Sequence, residues 1–175
     1  MLKNKLYQWV EIYQGKPLYG LRIWFILTYF SPLHFLISGS ILFYLEFVLR
    51  YRMNSFFALY KLDSAFLLLS VFVGPFIETW LCQWLIINVC QRIFSTFSER
   101  ICGILSIGIS SIMFAAAHYF NDPYYPFLVF DSGIVLAMVY YFTKKEFDAN
   151  KAFILTFLIH ACWNLIPTSI HFLFI

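Results

Sequence analysis

The sequence predicts an all-α integral membrane protein, a helical bundle of about five transmembrane helices. Three observations carry that prediction. Of the 175 residues, 62% are hydrophobic and only 12% are charged, whereas an ordinary soluble domain is about 45–50% apolar and about 25% charged. Mean hydropathy is +0.77 and Phe alone occurs 22 times, so too little polar side chain exists to cover the outside of a soluble fold. Apolar runs also recur at the length of about 20 residues that crosses a bilayer core. This composition excludes a soluble enzyme, a disordered chain and a nucleic-acid binder. The net charge of +3 is small and implies no nucleic-acid partner; the partner is the lipid bilayer.

Residues 1–20 are polar and mildly basic and read as a cytoplasmic N-terminal segment. Residues 21–175 read as a single transmembrane domain, without internal repeats. The first apolar run is too long for a signal peptide, and no small-residue cleavage site follows it. It forms a first span over about 22–45, where Pro32 and His34 predict a kink. The second span covers about 65–90 and carries Gly74-Pro75, then Glu78. The third, about 101–120, is rich in the Gly, Ser and Ala that let membrane helices approach closely. Asn121-Asp122-Pro123 is a turn signal. A short fourth span follows over about 127–142, and a fifth from about 152 to the C-terminus. Cys82, Cys90, Cys102 and Cys162 form no C-x-x-C pair and read as small buried thiols.

Orientation follows from the positive-inside rule. With the N-terminus cytoplasmic, Lys3, Lys5, Lys16, Arg22, Arg92, Arg100, Lys144, Lys145 and Lys151 fall inside, and only Arg50, Arg52 and Lys61 fall outside. The N-terminus is therefore expected in and the C-terminus out.

Several polar residues are out of place in such spans. Glu78 lies near mid-membrane, where a carboxylate costs about 2.5–3.5 kcal/mol on insertion scales. It has no basic residue within a helical turn. His118 ends the stretch Phe114-Ala-Ala-Ala-His118, and His160 and Asn164 share one face of the fifth span at i, i+4. Thr79 and Gln83 have the same spacing in the second span. Each alone reads as helix–helix glue. As a set with Glu78, they must face one another or a wet cavity. Measured along the helices, His118 and His160 differ in depth by about 13 Å, so their helices must tilt for the two to meet. Asp131 is expected at the interface or bonded to a neighbouring helix, and Glu46 in a surface pair with Arg50. His34 and His171 lie near the outer ends and match no motif.

The ordered set Glu78-Thr-Trp-Leu-Cys-Gln83, Phe114-x-x-x-His118 and His160-x-x-x-Asn164 resembles the CAAX protease and bacteriocin-processing (CPBP, or Abi) family of intramembrane proteases. That family carries E-E-x-x-x-R, F-x-x-x-H and H-x-x-x-N in this order, and the likeness covers about 71–167. The family's second Glu is Thr79 here and its Arg is Gln83. A possible ion pair is thereby replaced by a neutral Thr–Gln hydrogen-bonding pair that leaves no orphan charge. The resemblance implies an intramembrane endopeptidase of a bacterial cytoplasmic membrane. Its substrate would be a membrane-associated or prenylated peptide, such as a lipidated C-terminus or a leader peptide.

In that reading Glu78 is the base that activates water, and His118 helps hold the same water. Asn164 with His160 stabilises the oxyanion, supported by Thr79, Gln83 and Phe114. No tightly bound cofactor is expected. Zinc is the alternative, with Glu78, His118 and His160 as its three ligands and an open position. A rival from another class is a non-catalytic membrane protein that holds a peptide or partner in the same polar cavity, in an immunity or scaffold role. A third reading is bis-histidine haem ligation by His118 and His160.

Overall fold

The computed structural model describes residue 26, residues 31–49 and residues 64–174. The N-terminal segment and most of the first half of the first span lie outside the described residues. So do Lys3, Lys5, Lys16, Arg22, Arg50, Arg52, Lys61 and the side chains of Glu46 and His171, hence the expected Glu46–Arg50 pair.

Among the described residues, five helices follow one another, with no strand. Helix α1 is Ser31–Phe43, continued by a π turn over Tyr44–Val48. Helix α2 is Ala65–Ile93, α3 is Glu99–Ala117, α4 is Tyr125–Glu146 and α5 is Ala149–Phe174. Among the described residues, four stretches are long and apolar enough to cross a membrane: Ala65–Ile93, Glu99–Ala117, Tyr125–Glu146 and Ala149–Ile166. The described part of α1 is a shorter apolar helix. The protein is an integral membrane helical bundle.

Helix α2 passes through Gly74-Pro75 without breaking, in two π turns. Pro75 has no N–H to donate, and its ring would clash with the carbonyl one turn back. The π turn Leu69–Val73 lies directly before it. A Cβ at Gly74 would stand 3.1 Å from the Leu69 carbonyl oxygen, too close for most side chains. The second π turn, Thr79–Leu85, starts immediately after Glu78. Single π turns inside α-helices concentrate at functional sites.

The caps explain the other boundaries. The Ser98 side chain accepts from the Ile101 N–H to start α3. Asp122 Oδ1 accepts from Tyr124 N at 2.8 Å and shapes the turn before α4, an Asx turn. Helix α4 is longer than the expected 127–142, because Lys144 and Lys145 fall in its last turn, where cations suit the helix C-terminus. Asp148 Oδ1 accepts from the N–H groups of Asn150 and Lys151 at 2.9 Å each and so caps α5.

Polarity is distributed the reverse of a soluble core. Thr79, Gln83, Ser106, Ser110, Ser111, Thr143, Thr156 and His160 are buried, while Leu68, Phe72, Phe76, Ile104 and Phe127 point outward. Lipid offers no hydrophobic drive between helices, so close packing and polar contacts hold them. Ser110 Oγ donates to the Cys82 carbonyl at 2.8 Å, tying α3 to α2. A Cβ on Gly133 would lie 3.2 Å from the Ser111 backbone and 3.1 Å from the Phe114 ring, so α4 needs glycine there to lie against α3. Cys82, Cys90 and Cys102 are buried as expected, but Cys162 is exposed. It sits two residues past His160, about 200° round the helix, and so turns outward.

Candidate functional site

Glu78, His118 and His160 come from three different helices and meet. Glu78 ends the short α-helical stretch between the two π turns of α2. Its Oε2 lies 3.4 Å from His160 Nε2 and 3.7 Å from His118 Nε2. That oxygen is buried and has no hydrogen-bond partner. Both separations exceed a good N–H···O bond, and across such gaps polar groups are commonly joined through water.

The difference in depth between the two histidines is shared. Take as reference the end of the bundle where α2 ends and α3 and α5 begin. From there Glu78 stands midway, about four residues or about 6 Å deeper than His160 and as much short of His118. The His118 ring then folds back one turn, with Nδ1 2.8 Å from the Phe114 carbonyl oxygen.

That contact fixes a tautomer. A carbonyl only accepts, so Nδ1 carries the hydrogen and donates it. Neutral His118 therefore presents the Nε2 lone pair toward Glu78. His160 is 4% exposed and held differently. Its Nδ1 lies 3.3 Å from Thr79 Oγ1, and a hydroxyl can donate or accept. Phe114 packs between the two imidazoles, 4.8 Å from the His118 ring and 5.5 Å from the His160 ring. The close approach at Gly133 positions Phe114, and hence both histidines.

The expected Thr79–Gln83 hydrogen bond does not form. Thr79 bonds His160 instead, and the fully buried Gln83 amide has no partner on either atom. The segment Thr79–Leu85 is π-helical, so residues four apart are not stacked as in an α-helix. Asn164 Nδ2 donates to the Ser70 carbonyl at 3.0 Å and so joins α5 to the first π turn of α2. This uses one of its two amide hydrogens.

A cavity of about 490 Å³ opens beside the imidazoles. His118, His160, Phe114 and Asn164 are among the residues that line it, and Glu78, which does not line it, lies against both imidazoles. Among the described residues, no group of three or more His, Cys, Asp or Glu is arranged to hold a metal ion.

Sequence reasoning missed four contributors. Tyr125 lines the cavity with its ring 5.6 Å from that of His118. Its place in the first turn after the Asn-Asp-Pro signal was the available clue. Trp163 lines the cavity between His160 and Asn164 and stacks on His34 at 5.4 Å. His34 Nδ1 pairs with Asp131 Oδ2 at 2.9 Å, so Asp131 does bond a neighbouring helix. Ser132 Oγ lies 3.1–3.2 Å from both ring nitrogens of His34. His34 therefore belongs to the cavity wall, not to an outer end as its sequence position implied.

No curated protein and no solved structure matches the chain. A family model described as type II CAAX prenyl endopeptidase, Rce1-like, matches residues 60–166. That stretch holds Glu78, Phe114, His118, His160 and Asn164 and makes up more than half of the chain. The protein belongs to this Rce1-like family of CAAX-type intramembrane proteases.

Proposed function

We propose that the protein is an intramembrane peptidase that hydrolyses a peptide bond of a membrane-associated or prenylated peptide, using water activated by Glu78. One observation carries the reading: the buried Glu78 oxygen faces the Nε2 atoms of two histidines at 3.4 and 3.7 Å. With His118 Nδ1–H directed at the Phe114 carbonyl, its Nε2 and the Glu78 carboxylate are both acceptors. A water placed between them donates one hydrogen to each and keeps a lone pair for attack.

As the water oxygen bonds the scissile carbonyl carbon, one proton passes to Glu78. The tetrahedral intermediate then collapses, the C–N bond breaks, and that proton goes to the leaving amine. The developing oxyanion takes hydrogen bonds from the second amide hydrogen of Asn164 and from His160 Nε2–H. His160 has that tautomer when the Thr79 hydroxyl donates to Nδ1. Gln83 has no part in these steps. Every step uses the chain's own groups, and zinc is not required.

The charges support an orientation. Arg92, Arg100, Lys144, Lys145 and Lys151 gather where α2 ends, α3 begins and α4 meets α5. By the positive-inside rule this end faces the cytoplasm, and with α1 as a further span the N-terminus is cytoplasmic. The cavity lies in the other half of the bilayer.

The test is cleavage of a fluorogenic farnesylated peptide by protein in lipid nanodiscs. Glu78→Gln should lower the rate by on the order of 10²–10⁴-fold. A strong chelator should leave the wild-type rate unchanged, and loss of activity there would restore the zinc reading. A Gln variant as fast as the wild type removes the mechanism. Peptide binding without cleavage by the wild-type protein turns the reading to a non-catalytic binder.

A further inference from the structure

In the peptidase reading the attacking water has two partners, the Glu78 carboxylate and His118 Nε2. Both accept, so the water gives each of them a hydrogen. Two donations leave the molecule free to turn about the line that joins its acceptors. The lone pair that must meet the carbonyl carbon is then not aimed. A buried water ordinarily makes about three hydrogen bonds. The third partner must be a donor, because the water has no hydrogen left to give.

Tyr125 carries such a hydrogen. Its ring lies 5.6 Å from that of His118, inclined to it by 37°, and it lines the cavity. Its hydroxyl is within electrostatic reach of the Glu78 carboxyl. A tyrosine hydroxyl away from bulk water usually finds a hydrogen-bond partner, yet this one has none among the described residues. The serine hydroxyls of the cavity are engaged elsewhere. Ser38 Oγ donates to the Leu128 carbonyl at 2.8 Å, and Ser132 Oγ lies 3.1–3.2 Å from the His34 ring nitrogens.

The turn before α4 holds Tyr125 in place. Its N–H donates to the Asp122 carbonyl at 3.0 Å, and Asp122 Oδ1 accepts from the Tyr124 N–H at 2.8 Å. Pro126 follows in the first turn of the helix, where its fixed φ suits the conformation. The same turn leaves α3 just past His118, so a short and well-bonded piece of chain carries Tyr125 against that ring.

We infer that Tyr125 is a catalytic residue whose hydroxyl donates a hydrogen bond to the attacking water, completing a three-sided water site with Glu78 and His118. The water then gives two hydrogens, accepts one and keeps a single lone pair for the scissile carbonyl carbon. One proton passes from the water to Glu78 and later to the leaving amine, as before; the phenol keeps its own proton throughout. What Tyr125 contributes is aim, the positional term that lowers the barrier of an attack within a site. The inference rests on the peptidase reading for its reaction.

The bland role for Tyr125 is an aromatic wall beside His118. Tyr125→Phe keeps that ring and removes only the hydroxyl. Cleavage of the fluorogenic farnesylated peptide is measured in nanodiscs, with thermal unfolding in parallel. The Phe variant should lower kcat by about tenfold or more, the size of one hydrogen bond lost at a reacting group. KM should stay nearly unchanged, the signature of an interaction made with the reacting centre. The melting temperature should equal or exceed that of the wild type, because the hydroxyl has no partner within the protein to lose. A wild-type kcat in the Phe variant overturns the inference. A raised KM with kcat unchanged also overturns it, by making the hydroxyl a contact of the peptide. A kcat loss matched by a lowered melting temperature does so too, by returning Tyr125 to the wall. Failure of the peptidase reading is seen separately, as absence of cleavage by the wild-type protein.

Discussion

The two ends of the bundle are built on opposite plans. At the basic end, the lysines find close and complementary partners. Lys144 reaches Asn88 and Gln91, Asn88 donates to the Tyr140 hydroxyl at 2.9 Å, and Lys145 pairs with Glu99. Gly103 lets the Tyr141 ring lie against α3. At the cavity end, groups that matter face one another across 3.3–3.7 Å, and the central carboxylate oxygen has no hydrogen-bond partner. The first plan spends its polar residues on cohesion. The second leaves a buried carboxyl oxygen short of partners, an arrangement that stays poised for a reacting molecule at a cost in stability.

Substitutions at the two ends should therefore separate. The largest effect belongs to Glu78→Gln: cleavage falls by on the order of 10²–10⁴-fold, while thermal unfolding shows stability equal to or above that of the wild type. A large loss of melting temperature would place Glu78 among the cohesive residues. Gly133→Ala comes next, because the new methyl meets the Ser111 backbone, which cannot yield as a side chain can. Overpacking of this kind costs about 1–3 kcal/mol, and displacement of Phe114 should lower kcat by about tenfold or more, read in parallel cleavage and unfolding assays. Lys144→Met should do the reverse. It strands the Asn88 and Gln91 oxygens, costs about 1–3 kcal/mol in stability, and leaves kcat/KM nearly unchanged. If Lys144→Met lowers kcat without lowering stability, the division between the ends fails.

The smallest effect lies at the junction of α4 and α5. The backbone N–H of Lys151, above all, holds the Asp148 carboxyl below its ordinary value of 3.8. A lowered value means that its contribution is present above the ordinary carboxylate range and is lost as the pH falls through the lowered one. Asp148→Ala should bring a slight drop in melting temperature at neutral pH. That difference between mutant and wild type should shrink and then disappear as the pH falls below the ordinary value and through the lowered one. A constant difference across that range would assign the effect to packing.

Much of this was legible in the sequence, for a physical reason. A polar side chain in a long apolar run is an anomaly that lipid makes costly, so Glu78, His118, His160 and Asn164 stood out as a set before any geometry was known. The spans from α2 to α5 were readable from length alone. What was missed depended on contacts distant in the chain or on local helix phase. His34 and Ser132 are 98 residues apart, and nothing near His34 announces its partner. The Thr79–Gln83 pair was misread because an i, i+4 rule was applied where the helix is not α. Cys162 was taken as buried because a uniformly apolar span does not reveal which face looks outward.

The π turns flanking Glu78 have a consequence for how this chain tolerates change in length. Each accommodates one residue more than an α-turn would, as an insertion in the helix does. Loss of a single residue from 69–73 would let that turn close to α with the helix on either side still in phase, whereas loss of Phe76 or Ile77 from the α-helical stretch Gly74–Glu78 would swing everything before it by about 100° relative to everything after it. Ser70 would then leave Asn164, although every residue named at the site would still be present. Alleles inactive for that reason carry an intact motif, and in this protein a one-codon gap in that stretch of α2 is a truer sign of lost activity than most substitutions around it.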